Sequence, residues 1–210
     1  MSSHIPAIPV QKRAWDTRER ILTAAVTCLA GEGYVATTTT RIQEVAGVSR
    51  GSMLHQFPSR DTLLVAAVQY LADRREGGLE LDDEVLPVDD LDEAIAVMWS
   101  TFHTPLFRAA LQLWVNAEHN PDLAAALRPA EKALGQRNRA RIVRLFGERN
   151  ASHDGFADLI SLLHNAMRGV ALTYAFAPRD PATDPHLPAW RRIARSMLGE
   201  DREGRSAPTS

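Results

Sequence analysis

The stretch "EVAGVSRGSMLHQFPSR", Glu44 to Arg60, decides the fold. A helical segment stops at Gly47, and Ser49, a residue whose hydroxyl caps helix N-termini, restarts the helix almost at once. Pro58 stops the second helix after about two turns. A helix that short does not hold itself together in water. It must be held at a fixed angle to the first, with Val48, the lone apolar residue of the turn, plugging the angle between them. Met53 and Phe57 form the inner face of the second helix, and Arg50, Gly51, Ser52, His55 and Gln56 the outer face. Gly51 costs about 1 kcal/mol relative to alanine in a helix. A bland solvent-facing surface would not justify that loss.

Residues 1–14 contain Pro6, Pro9 and no apolar period, so 1–15 reads as a flexible basic arm carrying Lys12 and Arg13. Asp16 is expected to start a helix, with Glu19 completing a capping-box-like pair. Ile21, Leu22, Ala25, Val26 and Leu29 give that helix one apolar face, and Gly31 and Gly33 end it. In "TTTT", Thr37 to Thr40, one of Thr37–Thr39 caps the next helix, whose inward residues are Ile42, Val45 and Ala46. Beyond Pro58, Ser59 caps a fourth helix with a buried stripe of Leu63, Leu64, Ala67, Val68 and Leu71.

Two helices joined across Gly47 match a helix-turn-helix, in which the second helix enters the major groove and the first braces it. Arg50 can bond guanine O6 and N7 together, worth about 1–3 kcal/mol of discrimination. Ser52 can reach a base or a phosphate. Thr38 and Thr39, with the free amides at the start of the first of the two helices, offer an anion site for a phosphate. Arg60 can hold the backbone on the far side, and Lys12 and Arg13 can reach a neighbouring groove or phosphates. The alternative is that these are ordinary surface charges.

The 210 residues are 45% hydrophobic, enough for one large domain or two small ones. The net charge of −2 conceals an asymmetry, +3 over residues 1–60 and −5 over the rest. Cys28 stands alone, so neither an intrachain disulfide nor a thiolate metal cluster can form. There is no run of about 18 apolar residues and no export signal, which leads to the expectation of a cytoplasmic protein. "ELDDEVLPVDDLDE", Glu80 to Glu93, reads as a solvated connection. Beyond it, residues 91–104, 105–118, 121–147, 154–177 and 186–198 carry helical period and prolines fall near their edges. No segment alternates as a strand, so the fold class is all-α. No catalytic or metal-ligand motif is present, and neither an enzyme nor a cofactor is expected.

From Asp16 to Leu64, "DTRERILTAAVTCLAGEGYVATTTTRIQEVAGVSRGSMLHQFPSRDTLL" resembles the DNA-binding domain of the TetR family of bacterial transcription regulators. The GY after the first helix, the threonines, the AGVS turn and the F-P-S-basic ending follow in family order. Two positions depart from the pattern: Leu54 stands where the family often has a phosphate-binding tyrosine, and Gln43 where a small alanine is usual.

The resemblance implies an N-terminal three-helix helix-turn-helix DNA-binding domain at 16–62 and a larger helical ligand-binding and dimerisation domain at 63–200, followed by a disordered tail at 201–210. It also implies a homodimer on a palindromic operator. The dimer interface is expected at Phe156, Ile160, Leu163, Val170, Tyr174, Trp190, Ile193 and Met197, although these stripes could instead bury within the chain. Paired helices in a four-helix bundle would set two recognition helices about 34 Å apart or a close multiple. An apolar, Met- and aromatic-rich set, Met98, Trp99, Phe102, His103, Phe107, Leu111 and Trp114, with His164, Met167 and Arg168, is the candidate lining for an apolar small-molecule inducer. Ordinary core packing is the other reading of the same residues. The functional expectation is a ligand-released transcriptional repressor. The alternative is a DNA-binding architectural protein without a small-molecule ligand.

Overall fold

The computed structural model describes residues 10–76 and 90–199 and, within the first stretch, the side chains of 14–73. The tail at 201–210, most of the connection at 80–93, the first nine residues of the arm and the side chains of Lys12 and Arg13 lie outside the described residues. Among those described there is no strand. The helices are α1 (Val10–Ala36), α2 (Thr39–Ala46), α3 (Arg50–Gln56), α4 (Arg60–Glu76), α5 (Leu91–Ser100), α6 (Pro105–Ala117), α7 (Pro121–Ala151), α8 (Phe156–Thr173) and α9 (Leu187–Leu198). Short 3-10 turns follow α5 and precede α9. No helix among the described residues is long and apolar enough to cross a membrane.

α1 corrects two expectations. It begins at Val10, so residues 10–15 are helical and Asp16 is not its cap. Nothing between Val10 and Asp16 is a glycine or proline, so nothing stops the helix there. At its other end the helical path breaks at Gly33 (φ 82, ψ 171), a conformation open essentially to glycine alone.

The chain forms two compact units, whose boundaries differ from 16–62 and 63–200. The first comprises Met1–Leu79 with Arg108–Leu134. In it α1 packs on α4 and α2. Ile21, Leu22, Ala25 and Leu29 of α1, and Leu63, Leu64, Ala67 and Val68 of α4, are buried. In α2 only Ile42 and Ala46 are buried, and Val45 is exposed, contrary to the inward place expected of it. Ile42 and Ala46 are one helical turn apart and define a narrow stripe, to one side of which Val45 falls. Cys28 is buried, and that burial, with the nearby Glu32, raises its thiol above the usual range.

The second unit comprises Glu80–Phe107 with Gly135–Ser210. Its core joins Ile95, Met98 and Trp99 of α5 and Phe102 to Leu159, Leu163 and Met167 of α8 and Trp190, Ala194 and Leu198 of α9. α7 breaks at Gly147 (φ 75, ψ 160), and Leu145 and Phe146, just before the break, are buried in this core. Asp90 caps α5 by accepting from the Asp92 and Glu93 amides. Asp92 in turn holds Arg191 and Arg195, tying the start of α5 to α9.

Candidate nucleic-acid interface

Local chemistry places every boundary of the α2–α3 pair. Thr38 is the N-cap of α2, its hydroxyl accepting from the Arg41 amide at 3.1 Å. Gly47 ends α2 in the left-handed conformation (φ 61, ψ 43). Ser49 is the N-cap of α3 and accepts from the Ser52 amide at 3.2 Å. Ser59 caps α4 by accepting from the Thr62 amide, while the Thr62 hydroxyl accepts from the Ser59 amide, a reciprocal capping pair.

α3 divides as its sequence pattern requires. Met53 (2% exposed) and Phe57 face inward, while Arg50, Gly51, Leu54 and His55 are exposed and Ser52 and Gln56 half-exposed. A Cβ built on Gly51 would meet nothing within 4 Å. The protein's own packing therefore does not require glycine there. Gly51→Ala is expected to raise stability by about 0.5–1 kcal/mol. If a duplex lies against this face, the same change weakens DNA binding. Melting and binding measured on one preparation check the opposed signs.

Two α1 arginines brace this pair, and neither was singled out from sequence. Arg20 donates from Nη2 to the Ala46 and Gly47 carbonyls at 2.5 and 2.8 Å, placing a cation on the C-terminus of α2. Arg18 lies over the Phe57 ring, 4.5 Å from its centroid, and holds the far end of α3. In the sequence they show only as two arginines just ahead of the apolar stripe that begins at Ile21.

Arg60 is turned inward. Its Nε donates to the Thr37 carbonyl at 2.8 Å, an Nη donates to the Tyr34 carbonyl, and its guanidinium lies 4.0 Å from the Tyr34 ring centroid. A guanidinium held on three sides is not the free backbone clamp expected of it. Of the threonines, Thr37 is buried and donates to the Gly33 carbonyl, while Thr38 is exposed and Thr39 half-buried at the start of α2. On α2 itself, Arg41 is pinned by Glu32 at 2.9 Å.

In the second unit, Trp99 is fully buried, with the rings of His103, Trp190, Phe102 and Tyr174 centred 4.4, 4.9, 6.1 and 6.1 Å away. Met98 and Met167 join it in the core, and Phe107 packs on that core. His164 lies edge-on to Phe102, and an Arg168 Nη is 3.2 Å from its Nδ1. Leu111 and Trp114, of the same candidate set, belong to the first unit and are half-buried there. Phe156, Leu163 and Trp190 are buried within the chain's own core. That corrects the expectation that they face a partner, since three apolar stripes within one unit bury each other first. The large exposed apolar residues of α8 and α9 are Leu162, Leu172 and Ile193, flanked by the half-buried Ile160, Val170 and Met197. Tyr174 is half-buried near Trp99, and Phe176, just past α8, is 81% exposed.

Burial, and secondarily the Arg168 charge, hold the His164 pKa below 6.5. The unfolded chain therefore binds the proton more readily than the folded one, and stability falls as pH drops below 6.5 until the native pKa is reached. His164→Gln is expected to flatten that part of the pH–stability curve, as read by denaturant titration at pH steps between about 7 and 5.

A short helix pinned by its neighbours on one side and open along its polar side is the reading head of a helix-turn-helix DNA-binding protein. Residues 21–67 match the sequence profile of bacterial regulatory proteins of the tetR family. The HTH-type transcriptional regulator CymR of Pseudomonas putida is 29% identical over 172 residues, covering 77% of this chain and 80% of that protein. An HTH-type transcriptional repressor of Mycobacterium tuberculosis is 29% identical over 134 residues, 59% of this chain and 69% of that one. Among solved structures, the multidrug binding protein EbrR complexed with ethidium shares the fold, with a TM-score of 0.61 at 19% identity over 87% of this chain and 98% of that one. Residues 21–67 thus carry the DNA-binding segment of the tetR family, and the relatives matched over more of the chain are transcriptional regulators.

Proposed function

We propose that the protein is a homodimeric repressor that reads a palindromic operator with α3 and is released by a largely apolar small molecule. The observation that carries the reading is the division of α3, with Met53 and Phe57 held inside, Arg50, Gly51 and His55 exposed, and Ser52 and Gln56 partly exposed. Arg50 reads guanine. Thr38, Thr39 and the first α2 amides take a phosphate, as do Lys12 and Arg13 near the amino end. Arg60 acts by holding the entry to α2. Repression is supported by the likeness to the mycobacterial repressor.

Dimerisation through α8 and α9 is supported by Leu162, Leu172 and Ile193, apolar side chains left to water on two neighbouring helices. The inducer site is supported by the apolar core of the second unit and its half-buried polar edge, His103, His164 and Arg168. A ligand with unequal affinity for two dimer geometries would change the spacing of the α3 pair. A second reading, regulation or DNA architecture without a ligand, is favoured by the complete burial of Trp99 and Met167, which protein atoms already cover.

The test is a shift assay with the DNA flanking the protein's own coding region. Two chains per site are expected, with affinity falling about 10³-fold or more between 50 and 200 mM salt if six or more phosphates are neutralised. No preference over unrelated DNA would overturn the operator reading. Thermal denaturation against a panel of aromatic and aliphatic compounds separates the two ligand readings. A compound that raises the melting temperature and releases DNA supports an inducer, and a panel without effect supports the second reading.

A further inference from the structure

Tyr34 and Asp61 bracket the segment that carries α2, the turn and α3. Tyr34 stands just after the break at Gly33, and Asp61 lies in the first turn of α4. The Tyr34 hydroxyl donates to Asp61 Oδ1 at 2.7 Å, joining two residues 27 apart in sequence. This bond closes the loop that bears the reading head.

A third residue from far along the chain locks the closure. Asn120 immediately precedes α7, and its Oδ1 accepts from the Leu123 amide at 3.0 Å, capping that helix. Its Nδ2 donates both to the Tyr34 hydroxyl at 3.1 Å and to Asp61 Oδ2 at 2.9 Å. Gln112 of α6 accepts from the Tyr34 backbone amide at 3.2 Å. Arg60 covers the Tyr34 ring at 4.0 Å from its centroid. All these residues lie in the first unit. Burial, then the neighbouring Asp61, raises the Tyr34 pKa, which keeps the hydroxyl a donor.

We propose that Asn120 is a positioning residue for operator binding: supported by Gln112, it clasps Tyr34 to Asp61 and thereby fixes the loop whose ends set the attitude of α2 and α3. The inference rests on the reading of α3 as the DNA-reading helix. Its physical basis is that the loop ends are far more restrained when three polar groups share one set of bonds than when a single hydroxyl bridges them. Loosening the clasp lets α3 tilt without unmaking the α1–α4 core. No side chain of the clasp belongs to the DNA-reading face.

Asn120→Asp isolates the clasp, since aspartate caps a helix as well as asparagine. It replaces the donor to Asp61 with a second carboxylate. In the full-length protein at pH 7.5, operator affinity is expected to fall about tenfold or more, equivalent to 1.4 kcal/mol or above. The loss relative to wild type is expected to shrink as pH falls and the carboxylate pair takes up a proton. The double variant N120D/D61N exchanges donor and acceptor, and its affinity is expected to return to within about threefold of wild type. Asn120→Ser keeps a cap without adding charge and is expected to weaken binding with little change in melting temperature.

Hydrogen exchange without DNA gives an independent readout, in which α2 and α3 amides lose protection in N120D and regain it in N120D/D61N. Wild-type affinity in N120D, or a double variant no better than the single one, would overturn the clasp, as would unaltered exchange. Arg50→Ala tests the reading of α3 separately. If Arg50→Ala is silent while N120D changes exchange, the DNA-reading assignment fails and the clasp stands.

Discussion

Trp99→Ala is expected to lower the stability of the second unit by about 3–5 kcal/mol, the usual cost of truncating a large buried aromatic. Trp99 has 0% exposure, and four rings lie around it. Removing the indole strips contacts from the 3-10 turn after α5, from Tyr174 at the end of α8 and from α9 at once. Against a typical total of about 5–15 kcal/mol, that loss leaves the unit near its threshold. Denaturant titration followed by the remaining tryptophans reads it. Trp99→Phe keeps a ring and is expected to cost clearly less. A loss below about 1 kcal/mol for Trp99→Ala would mean that the core is not organised around this side chain.

Met53→Ala acts on function through a smaller element. α3 has seven residues, too few to persist alone, so its position depends on what it buries. Met53 and Phe57 are that burial, and loss of a buried methionine costs about 2–5 kcal/mol. If about 2 kcal/mol of this falls on docking α3, operator affinity drops roughly 30-fold. Leu54, the next residue, is 51% exposed. Leu54→Ala is therefore expected to change stability by no more than about 0.5 kcal/mol. Paired melting and shift measurements on the two variants check the contrast. Equal effects would mean that α3 does not dock through Met53.

The contrast between neighbours shows which parts of the molecule could be read in advance. Thr38, Gly47, Ser49 and Ser59 act on amides two or three residues away, or on their own backbone angles. Their roles are local, and the residue type at each position states them. The five helical segments beyond residue 90 were legible for the same reason, with Pro105 and Pro121 opening α6 and α7.

What sequence could not reveal depends on distant partners. Arg60 has the same composition signal whether it meets a phosphate or the Tyr34 and Thr37 carbonyls, and only the fold brings those carbonyls to it. Arg20 braces a turn 26 residues away, and Asn120 joins Asp61 across 59 residues. The apolar stripe on α8 shows in the sequence only as a helical period. Period identifies an apolar face without saying which part of it the chain's own helices cover, so Leu163 went inside while Leu162 and Leu172 stayed out. In α2 the inward face is narrower than the apolar pattern suggests, holding only Ile42 and Ala46 while Val45 stays exposed.

On the proposed function, the exposed side of α3 lies in the major groove and Arg50 reads a base there. The most direct measurement is the affinity of wild type and Arg50→Ala for the operator and for operator variants changed at single guanines, at several salt concentrations. The expected result is that Arg50→Ala loses about 1–3 kcal/mol on the operator, no longer distinguishes one guanine from its replacements, and keeps most of the salt dependence carried by the phosphate contacts. Unchanged affinity and unchanged discrimination in Arg50→Ala would contradict it.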